Sequence, residues 1–307
     1  MTTPGQSSQL VASSKTAGGT RAWLTQPQGR GQDSRLKRAL IHLVLIITTI
    51  IVVFPVIRVF STSLRPGQNI LNPSLAIIPE GATLDAYWRV LTETNLLNWI
   101  FNSLIVTVGA ATLGLIIAAT SAYGFSRYKF RGRNSGLTFL FATQLIPGIM
   151  LLVPIFIIYV QIGLVNSYQG LVFAYSVTAI PFSIWILKGY YDTIPYDLEE
   201  AAKIDGCTDF QAFYRVLLPL SLPALAIVFL LNFLAAWGEF FMARVLVGGR
   251  EELLTWTLGI QRFQAQFQTQ WADLSAASIL VSIPIVLLFV YISKYLVSGL
   301  TLGGVKG

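Results

Sequence analysis

Charge is scarce in this sequence. Asp, Glu, Lys and Arg make up 11% of its 307 residues, where a soluble domain carries about 25%. A large core does not explain the deficit, because a folded soluble protein still needs a wetted polar surface. Cysteine and histidine are scarcer still: Cys207 and His42 are the single examples. One cysteine excludes an intrachain disulfide framework and a Cys-based metal site, and one histidine argues against a His-rich one. No stretch reads Gly-x4-Gly-Lys-[Ser/Thr], and even the Gly-Lys dipeptide is missing. That excludes a phosphate-cradling P-loop. His-Glu-x-x-His and Gly-x-Ser-x-Gly are absent too, so no catalytic site and no metal site is visible.

What is present is apolar. Hydrophobic residues make up 54% of the chain, and the mean hydropathy is +0.65. Lipid is the natural solvent for such a composition. A span needs about 20 mostly apolar residues to cross the hydrocarbon. Six stretches qualify: Ala39–Phe60, Trp99–Ala122, Leu137–Val160, Tyr168–Leu187, Leu217–Phe241 and Leu274–Leu296. Pro147, Pro154 and Pro181 fall inside the third and fourth and predict kinks.

The net charge of +7 suggests nucleic acid at first, but the cations flank apolar runs, so membrane orientation explains them better. With the N-terminus in the cytoplasm, 15 of the 21 Lys and Arg residues lie inside. Arg58, Arg65, Arg89, Arg244, Arg250 and Arg262 are left outside. The loop Arg127–Arg133, with Lys129 and Arg131 between, is the strongest pin. Gln161–Ser167 carries no cation and is expected outside. Six spans return the C-terminus to the cytoplasm.

This divides the chain into three parts. Residues 1–34 are Gly-, Ser-, Thr- and Gln-rich, lack a cleavable-signal pattern, and are expected to form a disordered cytoplasmic tail. Residues 35–296 form the membrane domain, and 297–307 a cytoplasmic tail. Two longer external segments, Ser61–Asn98 and Met242–Asp273, are either a lid of short interfacial helices or a surface for an external partner.

The segment 189–219 is the most informative. Pro195 suits a helix start. Asp197, Glu199 and Glu200 then occupy the first turns, where the helix dipole favours anions. Ala201 and Ala202 favour helix and present little relief. Gly206 stands where a left-handed terminal residue belongs. Thr208 and Gln211 have capping-box spacing for a second helix. Phe210, Phe213, Tyr214 and Leu217 share one face of it, and it is expected to run into the fifth span at Pro219. A cytoplasmic helix with Ala201 and Ala202 on its surface allows another protein's groove to approach its backbone, with Leu198 and Ile204 as apolar anchors and Glu200 as a charged contact. The same helix could equally serve to tie two spans together.

The residues Glu200-Ala201-Ala202, three residues, Gly206, nine residues, Val216-x-Leu218-Pro219 resemble the EAA loop of binding-protein-dependent ABC permeases. Val216 departs mildly, since that family prefers Ile there. The tail Leu296–Gly307 is similar to that of MalG-type permeases from maltose and related oligosaccharide importers, with Leu302 where the family has Ala. The resemblance covers about residues 35–307. It implies an all-α, polytopic protein with six transmembrane helices and the type I importer (MetI-like) fold. It also implies a coupling helix at Glu200, Ala201, Ala202, Gly206, Leu218 and Pro219, and a tail at Gly303, Gly304 and Lys306 that reaches the ATPase dimer. The implied partners are a second homologous permease subunit, an ATPase dimer that binds ATP and Mg, and an extracytoplasmic sugar-binding protein. No cofactor is expected in this chain and no nucleic acid as partner. The implied location is the bacterial inner membrane.

Polar groups within spans are costly and usually face the bundle interior. Trp237 and Glu239 suit a sugar path, since an aromatic face stacks on a sugar ring and a carboxylate accepts hydroxyl hydrogen bonds. Asn232 and Gln144 are further candidates. Glu239 could instead sit at the interface, and in the maltose system the visible sugar site belongs mainly to the other permease subunit. Asn102, Ser103 and Thr107 could bond across helices. Three rival readings remain. A permease for another solute, such as an amino acid or phosphonate, fits the tail and the long first external loop less well. An ion-coupled secondary transporter is disfavoured by the lack of a mid-span charge and of internal repeats. A membrane scaffold leaves the gapped motif unexplained.

Overall fold

The computed structural model describes residues 34–67, 76–264 and 269–303, with side chains up to Tyr295. The first 33 residues, Gly304 and Lys306 lie outside the described residues, and Gly303 is described in its backbone alone. The chain divides into two compact units, Met1–Arg58 and Val59–Gly307. The first unit holds most of helix α1 (Arg35–Ser63), which contains Pro55. Its 29 residues are more than enough to span the hydrocarbon.

The second unit is built on α3 (Leu96–Arg127), preceded by the short α2 (Asp85–Thr92). Helix α4 (Arg133–Thr143) follows, then a 3-10 turn at Gly148–Leu151 and α5 (Leu152–Gln161). Next come α6 (Tyr168–Tyr191), α7 (Asp197–Ile204) and α8 (Asp209–Ala212). A π turn, Phe213–Leu217, leads through Leu218–Leu220 to α9 (Leu222–Trp237). The described residues end with α10 (Phe241–Val247), α11 (Trp256–Gly259) and α12 (Trp271–Gly303).

Among the described residues, four helices are long and apolar enough to cross a membrane, and up to six spans result if two bent pairs are each one span. The third and fifth expected spans are those pairs. Helix α4 turns into the Gly148–Gln161 segment through 94°. Pro147, with φ −56° and ψ 125°, sits at this break. It lacks an N–H and pushes its predecessor out of helical geometry. The expected kink is therefore a corner. The Asp209–Leu220 segment meets α9 at 78°, so it does not run straight into the fifth span. Ser221 sits at the bend, its hydroxyl donating to Leu217 O at 2.7 Å, and Pro223 occupies the first turn beyond. The fifth span ends at Trp237 rather than Phe241, and α12 runs past Leu296 to Gly303. One glycine, Gly299, costs a helix about 1 kcal/mol, which is too little to stop it.

Helix α3 packs along α6, with α9 against both. Ala110, Ala111, Gly114, Ala118, Ala119 and Ala122 of α3 are all buried. Small residues let membrane helices approach closely and pack by dispersion. Ser176 of α6 donates to Ala110 O of α3 at 3.2 Å. Asn102 donates to Glu252 O and Leu254 O, both at 2.9 Å, and accepts from Tyr168 Oη at 2.8 Å. Ser103 accepts from Trp256 N at 2.8 Å. Asn102 and Ser103 thus bond across elements, whereas Thr107 bonds within its own helix, to Ser103 O at 2.7 Å. Gly259 lies flat on the Trp99 indole. A Cβ there would stand 2.0 Å from Trp99 Cδ2. Helix α2 is fastened to α12 by Arg89 and Asp273, 2.6 Å apart.

Candidate functional site

Helix α7 and the turn after it form one candidate surface. Gly206 ends the helix with φ +91°, in the left-handed region that glycine enters without steric cost. Its N–H donates to Lys203 O at 3.0 Å, and Cys207 N donates to Ala202 O at 2.9 Å. These bonds satisfy carbonyls the last helical turn leaves open. Thr208 and Gln211 form the reciprocal capping box their spacing predicts. Lys203 braces the turn, 2.6 Å from Asp209 Oδ1 and 3.1 Å from Tyr196 Oη. The Asp209 carboxylate and the Tyr196 hydroxyl hold the Lys203 ammonium above the usual lysine range.

The outward side of α7 presents Leu198, Glu200, Ala201 and Ile204, with Ile204 86% exposed. Ala202 is half-buried, so Ala201 is the more open of the two alanines. Pro219 is exposed at the bend, whereas Leu218 packs with the core around Tyr123 and Ile184. Glu199 is fully buried and paired with Arg127 at 2.6 Å. Sequence reading gave Glu199 to the helix dipole and Arg127 to the basic loop. No local signal separates Glu199 from Glu200, because the burial of Glu199 depends on a partner in another helix.

A second candidate is a cavity of about 340 Å³, lined by residues of α5, α6, α9, α10 and the turn before α5. Glu239 stands in its wall, in the break between α9 and α10. Its Oε1 accepts from Met242 N at 2.8 Å, and its Oε2 from Ala243 N at 3.0 Å and Tyr175 Oη at 2.9 Å. The carboxylate thus caps α10, where the dipole favours an anion. Asn232, Thr178 and Tyr175 share the wall. Asn232 Oδ1 accepts from Ser183 Oγ at 3.0 Å, and its Nδ2 has no hydrogen-bond partner among the described residues. Gln144 is exposed at the corner after α4 and donates to Thr178 O at 3.2 Å, outside the wall.

Trp237 does not line the cavity. It is 2% exposed, stacked on Phe233 with centroids 5.4 Å apart, and its carbonyl accepts from Trp256 Nε1 at 2.7 Å. The reason is phase. Helix α9 ends at Trp237, and the chain turns at Gly238, so the tryptophan belongs to the packed face of α9 and Glu239 to the next element. Tyr175 was missed, because one tyrosine in an aromatic-rich span carries no signal of its partner.

The family described as "Binding-protein-dependent transport system inner membrane component" matches residues 110–301. The chain belongs to this family. The permease is 35% identical over 277 residues to the maltose/maltodextrin transport system permease protein MalG of Vibrio parahaemolyticus, covering 84% of this chain and 92% of that one. It is 34% identical to the maltodextrin transport system permease protein MdxG of Bacillus subtilis, over 89% of this chain and 97% of that one. It is 36% identical to the diacetylchitobiose uptake system permease protein DasC of Streptomyces coelicolor, over 83% and 92%. Among solved structures, a bacterial ABC transporter involved in the import of the acidic polysaccharide alginate shares the fold. The TM-score is 0.74 at 24% identity, covering 85% of this permease and 96% of that chain. The expected type I importer architecture is therefore present in this chain.

Proposed function

We propose that this permease is one of two homologous membrane subunits of an ATP-driven importer that carries a neutral oligosaccharide of the maltodextrin kind. An extracytoplasmic binding protein delivers the sugar. A pair of partner ATPase subunits binds ATP and Mg and hydrolyses the nucleotide. The similarity to the Vibrio, Bacillus and Streptomyces permeases supports the sugar class. The cavity wall supports the neutral choice: it carries the Glu239 carboxylate and no Lys or Arg, so an acidic sugar would meet repulsion. Glu239, Tyr175, Asn232 and Thr178 are the residues we assign to the solute path. Both termini lie in the cytoplasm, by the distribution of Lys and Arg. The tail residues Gly303, Gly304 and Lys306 are assigned to the ATPase dimer by resemblance alone. Transport follows from population shift: sugar-loaded binding protein and ATP each prefer one of two arrangements of the bundle.

The observation that carries the reading is the exposed face of α7, held against a stiff glycine end. Leu198, Ala201 and Ile204 offer an apolar surface on a helix whose other side is rooted in the protein. The test is co-purification of the ATPase subunits with tagged permease. Ala201→Trp and Glu200→Lys should each lower the ATPase recovered by about tenfold, as loss of a central contact does. Gly206→Val should do the same, because a β-branched residue in the left-handed region is strained by about 1–2 kcal/mol. Normal recovery and normal uptake in all three variants would overturn the assignment of α7.

A further inference from the structure

The buried ion pair behind α7 lies on the side of that helix away from its exposed face. Arg127 stands in the last turn of α3, and Glu199 on the inner side of α7. Their 2.6 Å contact leaves the side chains 8% and 0% exposed. Arg127 also donates through Nη2 to Ile194 O at 3.2 Å and lies 5.8 Å from the Tyr196 ring centroid. One guanidinium therefore holds α7 at its own glutamate and at the chain that enters it. Glu199 Oε2 has no hydrogen-bond partner among the described residues. A carboxylate out of water and short of one partner depends heavily on its counter-charge.

We propose that Arg127 and Glu199 are positioning residues that pass displacement of α7 to α3. The inference rests on the reading of α7 as the ATPase-facing helix. Apolar contacts slide at little cost, but opposite charges in a dry site attract steeply and at one separation. A link of this kind moves both helices together. Helix α3 is well placed to relay the movement. It packs along α6 and α9 through small residues, and close-packed helices shift as rigid bodies. Gly114 of α3 lies against Asn232, since a Cβ on that glycine would stand 3.6 Å from Asn232 Nδ2. Asn232 lines the cavity. A continuous run of packed groups thus joins the inner side of α7 to the proposed solute path.

The experiment uses the whole importer in proteoliposomes. The decisive variant is the double substitution Arg127→Met with Glu199→Leu, since an apolar replacement of a buried ion pair generally preserves folding. It should retain the ATPase subunits on co-purification, which separates it from the docking variants above. Sugar transported per ATP hydrolysed should fall about tenfold, within the usual range of coupling between sites. Arg127→Lys restores a cation without the fork of donors and should recover part of that loss. Wild-type transport per ATP in the double variant would overturn the proposal. So would loss of the ATPase subunits from it, because the pair would then be serving attachment.

Discussion

Tyr175 of α6 donates its hydroxyl to Glu239 Oε2 across 2.9 Å, joining two elements 64 residues apart. The carboxylate is thereby fixed in the cavity wall before any solute arrives. A fixed acceptor loses less freedom on binding a sugar hydroxyl than a mobile one.

Glu239→Gln should reduce sugar uptake by about tenfold, the size of one charge-assisted hydrogen bond. Tyr175→Phe, which leaves the carboxylate in place but less constrained, should have a smaller effect in the same direction. Uptake in proteoliposomes measures both, with co-purification of the partner subunits as the control. Wild-type uptake by both variants would reduce Glu239 to a cap of α10.

Trp237→Ala should act on folding. Removing a buried tryptophan typically costs about 3–5 kcal/mol. The expected readout is a large fall in the thermal midpoint of the detergent-solubilised protein, with Trp237→Phe much milder. A thermal midpoint unchanged in the alanine variant, with uptake lost, would return Trp237 to the solute path.

Gly259→Ala tests the contact with Trp99. The added Cβ would stand 2.0 Å from the indole, so the ring or the backbone must move. Overpacking of this kind costs about 1–3 kcal/mol. Faster proteolysis of the 248–264 segment is the expected outcome, and cleavage at the wild-type rate would contradict it.

Orientation can be read by thiol labelling in a Cys207→Ser background. An impermeant maleimide on right-side-out vesicles should label Ile162→Cys at once, and Lys129→Cys after the membrane is opened. Both positions are exposed in the fold. The reverse pattern would invert the assigned topology.

Much of the fold was legible because lipid imposes a length rule that apolar runs reveal directly. The turn at Gly206 and the Thr208–Gln211 capping box were legible for a similar reason, since local backbone chemistry admits few residue types. The corner at Pro147 was visible as a proline but not as 94°, because the angle depends on what packs around the freed carbonyls. Facing within a span was the hardest to read. Helix α9 is apolar except at Asn232, so one polar residue marks its inner side and nothing in the pattern gives the facing of Trp237 at its end. That is why Trp237 and Glu239, two residues apart, were read together and lie in different settings. Glu199 was hidden for a different reason, its partner Arg127 being 72 residues away.

The two neighbouring glutamates of α7 divide that helix into a seat and an address. Glu199 holds the seat, whereas, on the proposed reading of α7, Leu198, Glu200, Ala201 and Ile204 spell the address. Substitutions confined to the address would redirect the permease to a different motor and leave its solute path as it was. An importer built this way can share one motor among several permeases, each recognised by an eight-residue helix. On that reading, an engineer wishing to move sugar uptake onto a foreign ATPase would have to rewrite about half of that helix, together with the tail assigned to the ATPase dimer, and nothing inside the bundle.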